Sequence, residues 1–366
     1  MKTPLNFAGP AAPGAMPGAA STALASRAAA SRAAASGGAA SGGGRDASSK
    51  IRTPALAAPA APSARDLLTG GEFSAAQISE LFQLALAVKR HAPRFRSALA
   101  GRFLALIFEK PSLRTRVTFE VGMQSLGGGT VFLDHTATRL GAREAVGDAA
   151  RSLECWVHGL VVRTFEQAVV EELAESASIP VINALSDRYH PCQAFGDFFT
   201  LEERFGGLRG LKLAYVGDGN NVCHSLMLTG ARLGVHLRVA TPAGYAPDAA
   251  VVAEARQAAK ENRGRVEILT SPEEAVAGAQ AVYTDVWASM GREEEAARRQ
   301  QFFAGYQVNE LLMDAAAPGA VFLHCLPAHR GVEVSSALLD SPRSIVYHQA
   351  ENRLHVQKAL LLTLLG

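Results

Sequence analysis

The sequence predicts an α/β protein built from two parallel-sheet βα domains linked by helices, with a C-terminal helix packing back on the first domain. Three observations predict it. Apolar runs of four to six residues recur along the chain and alternate with segments of helical apolar spacing, the pattern of buried parallel strands between helices. The turns after several of these runs hold polar clusters, as strand carboxyl ends in an open sheet should. With 366 residues, 48% of them hydrophobic, the chain can bury two cores, and no apolar run approaches the ~20 residues of a membrane span.

The first 64 residues stand apart. Ala, Ser, Gly and Pro dominate them, with six Lys or Arg against a single acid, Asp46, for a charge of +5. Such a tract cannot bury enough apolar surface to offset its ordering entropy, so it is expected to be disordered. Arg- and Ser-rich, nearly acid-free and without a continuous apolar stretch, it has the composition of an organelle transit peptide rather than a secretory signal. The lack of an arginine-studded amphipathic helix up to Gly18 tilts the expectation towards the plastid stroma over the mitochondrial matrix, with a cytoplasmic location if the segment does no targeting.

From there the elements follow in order. A helix opens at Ser74, with Gln77 completing a capping box and Ile78, Leu81, Phe82 and Ala85 forming the apolar stripe. Strands near 103–108, 130–134, 159–163 and 179–183 make the first domain, residues 65–200, and Gly127-Gly128-Gly129 ends one of its helices. A helix from Pro191 to Phe205, closed by Gly206-Gly207, leads to the second domain, residues 201–345. That domain carries strands near 211–216, 235–240, 266–269, 280–285 and 320–324, and one of its helices is opened by Ser271-Pro272-Glu273-Glu274. A last helix, about 350–365 within a returning segment 346–366, carries Arg353.

Composition narrows the function. Residues 65–366 hold 30 Lys or Arg against 33 Asp or Glu, so no basic excess points to a nucleic acid. Cys155, Cys192, Cys223 and Cys325 lie far apart with no C-x-x-C pair, which argues against a zinc knuckle and for a reducing compartment. Gly217-x-Gly219 invites a dinucleotide reading, but Val222 stands where the third glycine of the fingerprint belongs. No cofactor or metal is expected.

The most informative stretch is Phe108-Glu109-Lys110-Pro111-Ser112-Leu113-Arg114-Thr115-Arg116. The strand Phe103–Phe108 precedes it and helically spaced Phe119, Met123 and Leu126 follow, so the turn sits at a helix N-terminus. There free backbone N–H groups and the helix dipole favour an anion, Arg114 can fork onto two phosphate oxygens, and Ser112 and Thr115 supply hydroxyls. Three more clusters lie at strand ends: His190-Pro191-Cys192-Gln193, where Pro191 opens a helix and places His190 and Gln193 on one face; Asp285-Val286-Trp287-Ala288-Ser289-Met290-Gly291; and His324-Cys325-Leu326-Pro327.

In this combination the sequence resembles the aspartate/ornithine carbamoyltransferase family, its ornithine-specific branch above all, from about residue 66 to the C-terminus. The resemblance implies a carbamoyl phosphate site of Ser112, Leu113, Arg114, Thr115, Arg163 and Arg353, with His190 and Gln193 holding the carbamoyl group. Leu113 replaces the threonine usual in relatives, which removes a hydroxyl and leaves the backbone N–H. For ornithine the resemblance implies Asn221, Asp285, Ser289, Met290, Cys325 and Leu326, with Arg114, His190, Arg353 and Cys325 carrying the chemistry. Arg139 stands where many relatives have a glutamine that reaches a neighbouring subunit, and it is left outside the assigned site. The resemblance also implies a homotrimer and substrates bound in the cleft between the domains.

The chemistry accounts for these residue types. Carbamoyl phosphate presents a dianionic leaving group and a carbonyl that becomes an oxyanion, so positioned positive charge and hydrogen-bond donors are what catalysis needs. An amine resembling that of lysine, with a pKa near ~10.4, must be held partly neutral to attack. Asp285 suits the α-ammonium of the acceptor, and Asn221 the α-carboxylate. The competing expectations are a sister transferase using putrescine or acetylornithine, whose members usually lack the Ser289-Met290-Gly291 segment, and a non-enzymatic binding protein of the same fold, which should have lost an arginine of the phosphate cluster.

Overall fold

The computed structural model describes residues 65–366 apart from 138 and 289–294; the readings made for residues 1–64 and for Ser289 and Met290 lie outside the described residues. Four parallel strands, β1 (Phe103–Phe108), β2 (Gly129–Asp134), β3 (Gly159–Arg163) and β4 (Val181–Leu185), form one sheet in the order β2-β1-β3-β4. Five more, β5 (Lys212–Val216), β6 (His236–Ala240), β7 (Arg265–Leu269), β8 (Ala281–Thr284) and β9 (Val321–His324), form a second parallel sheet in the order β7-β6-β5-β8-β9. The expected fold class stands.

The helices are α1 (Ala75–Arg90), α2 (Leu113–Ser125), α3 (Val146–Leu153), α4 (Gln167–Ser176), α5 (Pro191–Phe205), α6 (Asn221–Arg232), α7 (Ala249–Asn262), α8 (Pro272–Val276), α9 (Ala296–Phe303), α10 (Glu310–Asp314), α11 (Ser336–Leu339) and α12 (Val346–Leu365). Local chemistry sets their ends. Ser74 and Gln77 form the expected capping box on α1, Pro191 occupies the first turn of α5 and Gly206 closes it at φ 75°, and the Ser271 side chain accepts from the Glu274 N–H to start α8.

The fourth strand and the last helix depart furthest from expectation. The fourth strand starts two residues late because Pro180 has no N–H to give the ladder; only its carbonyl takes part, accepting from Leu160 N at 2.8 Å. The last helix starts at Val346 rather than near 350. No side chain caps it; buried Val346 and Gln349 carry its first turn, so tertiary packing overrides a weak local signal.

The first sheet buries Leu104, Leu106, Phe108 and Val161 in a core shared with α1, α5 and α12. α12 packs against α1, α2 and α5, so the chain does return to its first sheet. Close approach at α5 depends on Gly196: a Cβ built there would lie 3.1 Å from Arg353 Cγ and 3.5 Å from Arg353 Cα. Gly196→Ala should therefore push α12 outward, destabilising the protein by about 1–3 kcal/mol as overpacking does and weakening anion binding through Arg353. Unchanged thermal unfolding and unchanged phosphate affinity would show that the contact yields freely.

The two strand orders reverse direction between β1 and β3 in the first sheet and between β5 and β8 in the second. Crevices form at the carboxyl ends of strands at such switch points. The segments leaving these four strands are Glu109–Thr115, Arg163, Gly217–Asn221 and Asp285, so topology alone delivers two of the four sequence clusters, together with Arg163 and Asn221, to the crevice positions.

Candidate active site

A cleft of about 750 Å³ opens there, lined by residues of both sheets. Every described residue assigned from sequence borders it: Ser112, Leu113, Arg114, Thr115, Arg163, His190, Gln193, Asn221, Asp285, Cys325, Leu326 and Arg353.

On the first-sheet side, α2 begins at Leu113 with Ser112 as its N-cap residue, yet the Ser112 side chain makes no capping bond. Its hydroxyl and the first N–H groups of the helix thus stay available to an anion. Arg353 reaches across from α12 and donates to Thr115 Oγ1 at 2.8 Å. Burial, and then the neighbouring guanidiniums Arg353 and Arg114, pull Arg163 down to about 10; burial and then Arg114 lower Arg353 as well. Like charges held together out of water are costly unless an anion completes them. Burial, followed by Arg353 and Arg163, keeps His190 well below the ordinary histidine range, so it is a neutral imidazole at neutral pH.

Four buried polar atoms in this cluster, Arg163 Nε, Arg353 Nε, His190 Nδ1 and Gln193 Oε1, have no hydrogen-bond partner. Buried polar groups are normally paired. Their convergence marks a place where a polar ligand completes the protein's own bonding.

On the second-sheet side, Asp285 follows β8 and accepts from Asn220 Nδ2 at 2.7 Å, from Val286 N at 2.8 Å and from Cys325 Sγ at 2.8 Å. Burial, and then the Asp285 charge, hold the Cys325 thiol well above its usual range. Cys325 is therefore a protonated thiol whose proton goes to Asp285, leaving the sulfur lone pairs to accept. It is no thiolate nucleophile. Leu326 sits at φ 60°, costly for a side chain with a Cβ; its N–H bonds His324 Nδ1 at 2.8 Å, and His324 Nε2 lies 3.2 Å from buried Glu333. This bracing fixes the loop. Asp285, His324 and Cys325 bring three metal-capable atoms within 4.8 Å of one another, but both imidazole nitrogens and the thiol proton are already engaged by protein groups.

Asn221 was assigned to substrate; its Nδ2 donates to Ser186 O at 2.7 Å, tying α6 to the loop after β4, while the adjacent Asn220 is the one that touches Asp285. Sequence reasoning also passed over two further cleft residues. Arg299 is buried and pairs with Asp218 at 2.7 Å; it carried no signal because α9 lies beyond the Ser289-Met290-Gly291 segment. Lys110 sat inside the phosphate stretch and could have been chosen. Arg139, left outside the assigned site, lies at the surface, pairs with Glu166 at 3.5 Å and stacks over Phe165.

Burial and then Arg163 bring Lys110 down to about 8, opposed by Asp187 and Glu109, with Arg139 adding a smaller lowering. Lys110 is a cation below that pH and neutral above it. Phosphate affinity of the free protein should thus fall as pH rises through about 8, and Lys110→Arg should abolish that limb; wild-type affinity flat through the limb would exclude Lys110 from the anion site.

Two family models match the chain: the carbamoyl-P binding domain of aspartate/ornithine carbamoyltransferase over residues 65–203 and the Asp/Orn binding domain over residues 209–364. The chain belongs to the aspartate/ornithine carbamoyltransferase family. Among its relatives, the ornithine carbamoyltransferase of Anoxybacillus flavithermus is 51% identical over 304 residues, 82% of this chain and 96% of that protein. That of Symbiobacterium thermophilum is 51% identical over 299 residues, 81% and 96% of the two chains. The solved ornithine carbamoyltransferase from Pyrococcus furiosus superposes with a TM-score of 0.81 at 46% identity, covering 84% of this chain and 99% of its own. Membership makes the protein a carbamoyltransferase; Arg114 and Arg163 fall in the first of these family domains, and Asp285, Cys325 and Arg353 in the second.

Proposed function

We propose that the protein is an ornithine carbamoyltransferase, converting carbamoyl phosphate and L-ornithine to L-citrulline and phosphate. The observation that carries this is the meeting, across one cleft, of three crowded guanidiniums, two of them with an unpartnered Nε, and of an Asp285–Cys325 pair suited to an amino acid. In this reading the α2 N-terminus, Ser112, Leu113 N–H, Arg114, Thr115, Arg163 and Arg353 take the phosphate. Neutral His190 donates to the carbonyl oxygen as it becomes an oxyanion, and Gln193 Oε1 accepts from the carbamoyl NH2. Asp285 takes the α-ammonium of ornithine, and Cys325 sulfur and the Leu326 carbonyl guide the δ-amine. The neutral δ-amine attacks the carbonyl carbon; the C–N bond forms, the C–O bond to phosphate breaks, and the amine proton leaves on the phosphate, so no cofactor is needed.

The acceptor assignment is supported by the names of the relatives, all ornithine carbamoyltransferases at 46–51% identity in those compared above. Carbon-13-labelled carbamoyl phosphate with ornithine should give labelled citrulline and phosphate in equal amounts; phosphate release without citrulline would refute the transfer.

Self-association as a homotrimer belongs to the same proposal. Leu113, Val117 and Val121 lie one turn apart on α2 and are exposed, an apolar stripe of the kind that associates. Light scattering should return three times the chain mass; a monomer would contradict it. Residues 1–64 are proposed as a targeting extension, to the plastid stroma before the mitochondrial matrix. Deleting residues 1–60 should leave turnover and thermal stability unchanged, and residues 1–64 fused to a fluorescent protein should carry it into an organelle; a diffuse cytosolic signal would refute targeting.

A further inference from the structure

Asp197 lies one helical turn beyond Gln193 on α5 and is completely buried. Two neutral amides donate to its Oδ1, Gln193 Nε2 at 2.8 Å and Gln349 Nε2 at 2.6 Å. Gln349 comes from α12, and its own Oε1 accepts from His324 N at 3.0 Å, one residue before Cys325. A buried carboxylate whose donors are amides rather than a hydrogen-bonded cation is costly, and burial raises this one to about 6. Its placement shows what the cost achieves. An ionised carboxylate only accepts, so each glutamine must turn its NH2 to Asp197 and its oxygen away. For Gln193 that sends Oε1, which has no partner, into the cleft. For Gln349 it sends Oε1 to the strand end that carries Cys325.

We infer that Asp197 is a positioning residue that locks the Gln193 amide with its oxygen facing the carbamoyl NH2, and so lets the site distinguish carbamoyl phosphate from phosphate alone. This rests on the reading that Gln193 faces the carbamoyl group. Without the lock the amide can turn over, presenting NH2 to NH2, and the carbamoyl end loses its acceptor while the phosphate end keeps every contact.

The test compares kcat/KM for carbamoyl phosphate at saturating ornithine with the inhibition constant of inorganic phosphate, using the full chain. Asp197→Leu should lower the first about 30-fold, the scale of a buried hydrogen bond left unmade, and leave the second within about threefold. Asp197→Asn keeps an acceptor oxygen and should hold kcat/KM within about threefold of wild type. In a Gln193→Leu background, Asp197→Leu should add little further loss, because its effect runs through the amide already removed. If Asp197→Leu does not fold, Asp197→Ala, which likewise removes the acceptor that holds the Gln193 amide, should show the same split. Equal loss in Asp197→Asn, a parallel fall in phosphate affinity, or fully multiplicative losses in the double variant would overturn the inference. Wild-type kcat/KM in Gln193→Leu alone would instead overturn the reading of Gln193 on which it rests.

Discussion

Replacing Arg114 with alanine should lower kcat/KM for carbamoyl phosphate by on the order of 10³ while leaving the melting temperature unchanged or slightly raised. The first part follows from position. Arg114 lies in the first turn of α2, borders the cleft, and is lowered chiefly by burial, so its fork is aimed at an anion. A charge-assisted contact is worth about 1.5–3 kcal/mol, and removing a donor to a developing oxyanion costs about 10²–10³ in rate. The second part follows from the company it keeps. Its charge depresses both Arg163 and Arg353, so deleting it relieves repulsion in the folded state. Steady-state kinetics beside thermal unfolding check both. Wild-type affinity for carbamoyl phosphate, or a large loss of stability, would make Arg114 a structural residue.

Asp285→Asn should raise the KM for ornithine by about ten- to a hundredfold, roughly 1.4–2.8 kcal/mol, with much less effect on the KM for carbamoyl phosphate. The carboxylate faces the second-sheet side of the cleft and holds Asn220 and Cys325. The same variant offers an independent reading. Asp285, by charge and by hydrogen bond, is the largest cause after burial of the raised Cys325 thiol, so its loss should lower that thiol and speed alkylation of Cys325. Equal effects on both substrates, with unchanged thiol reactivity, would place Asp285 in the scaffold instead.

Much of this was legible because two signals agree. Strand cores such as Phe103–Phe108 and Gly159–Arg163 are near-continuous apolar runs, and runs buried on both faces announce themselves. Pro191, Gly206 and Ser74 mark helix ends through backbone chemistry that acts locally. The phosphate turn is likewise a local arrangement, with Ser112, Arg114 and Thr115 within four residues. What stayed hidden depends on long-range pairing. Arg299 meets Asp218 across 81 positions and Gln349 meets Asp197 across 152, and no spacing in the sequence foretells such partners. Asn220 and Asn221 are indistinguishable as letters; one residue of helical rotation sends the first to Asp285 and the second to Ser186. The first turn of α12 is invisible for the opposite reason: Val346, Tyr347 and His348 are mediocre helix formers, and only burial of Val346 and Gln349 commits them.

The central claim is that the cleft chooses ornithine as the acceptor of a carbamoyl group. The most direct measurement is citrulline or carbamoyl-amine formation at fixed carbamoyl phosphate with ornithine, aspartate, putrescine and acetylornithine in parallel. Putrescine lacks the α-carboxylate, acetylornithine lacks the free α-ammonium that Asp285 is proposed to meet, and aspartate lacks the δ-amine. Ornithine should therefore exceed each of the others in kcat/KM by at least about a hundredfold, the scale of one unmade charged contact. A comparable or higher kcat/KM with any of the other three amines would contradict the account.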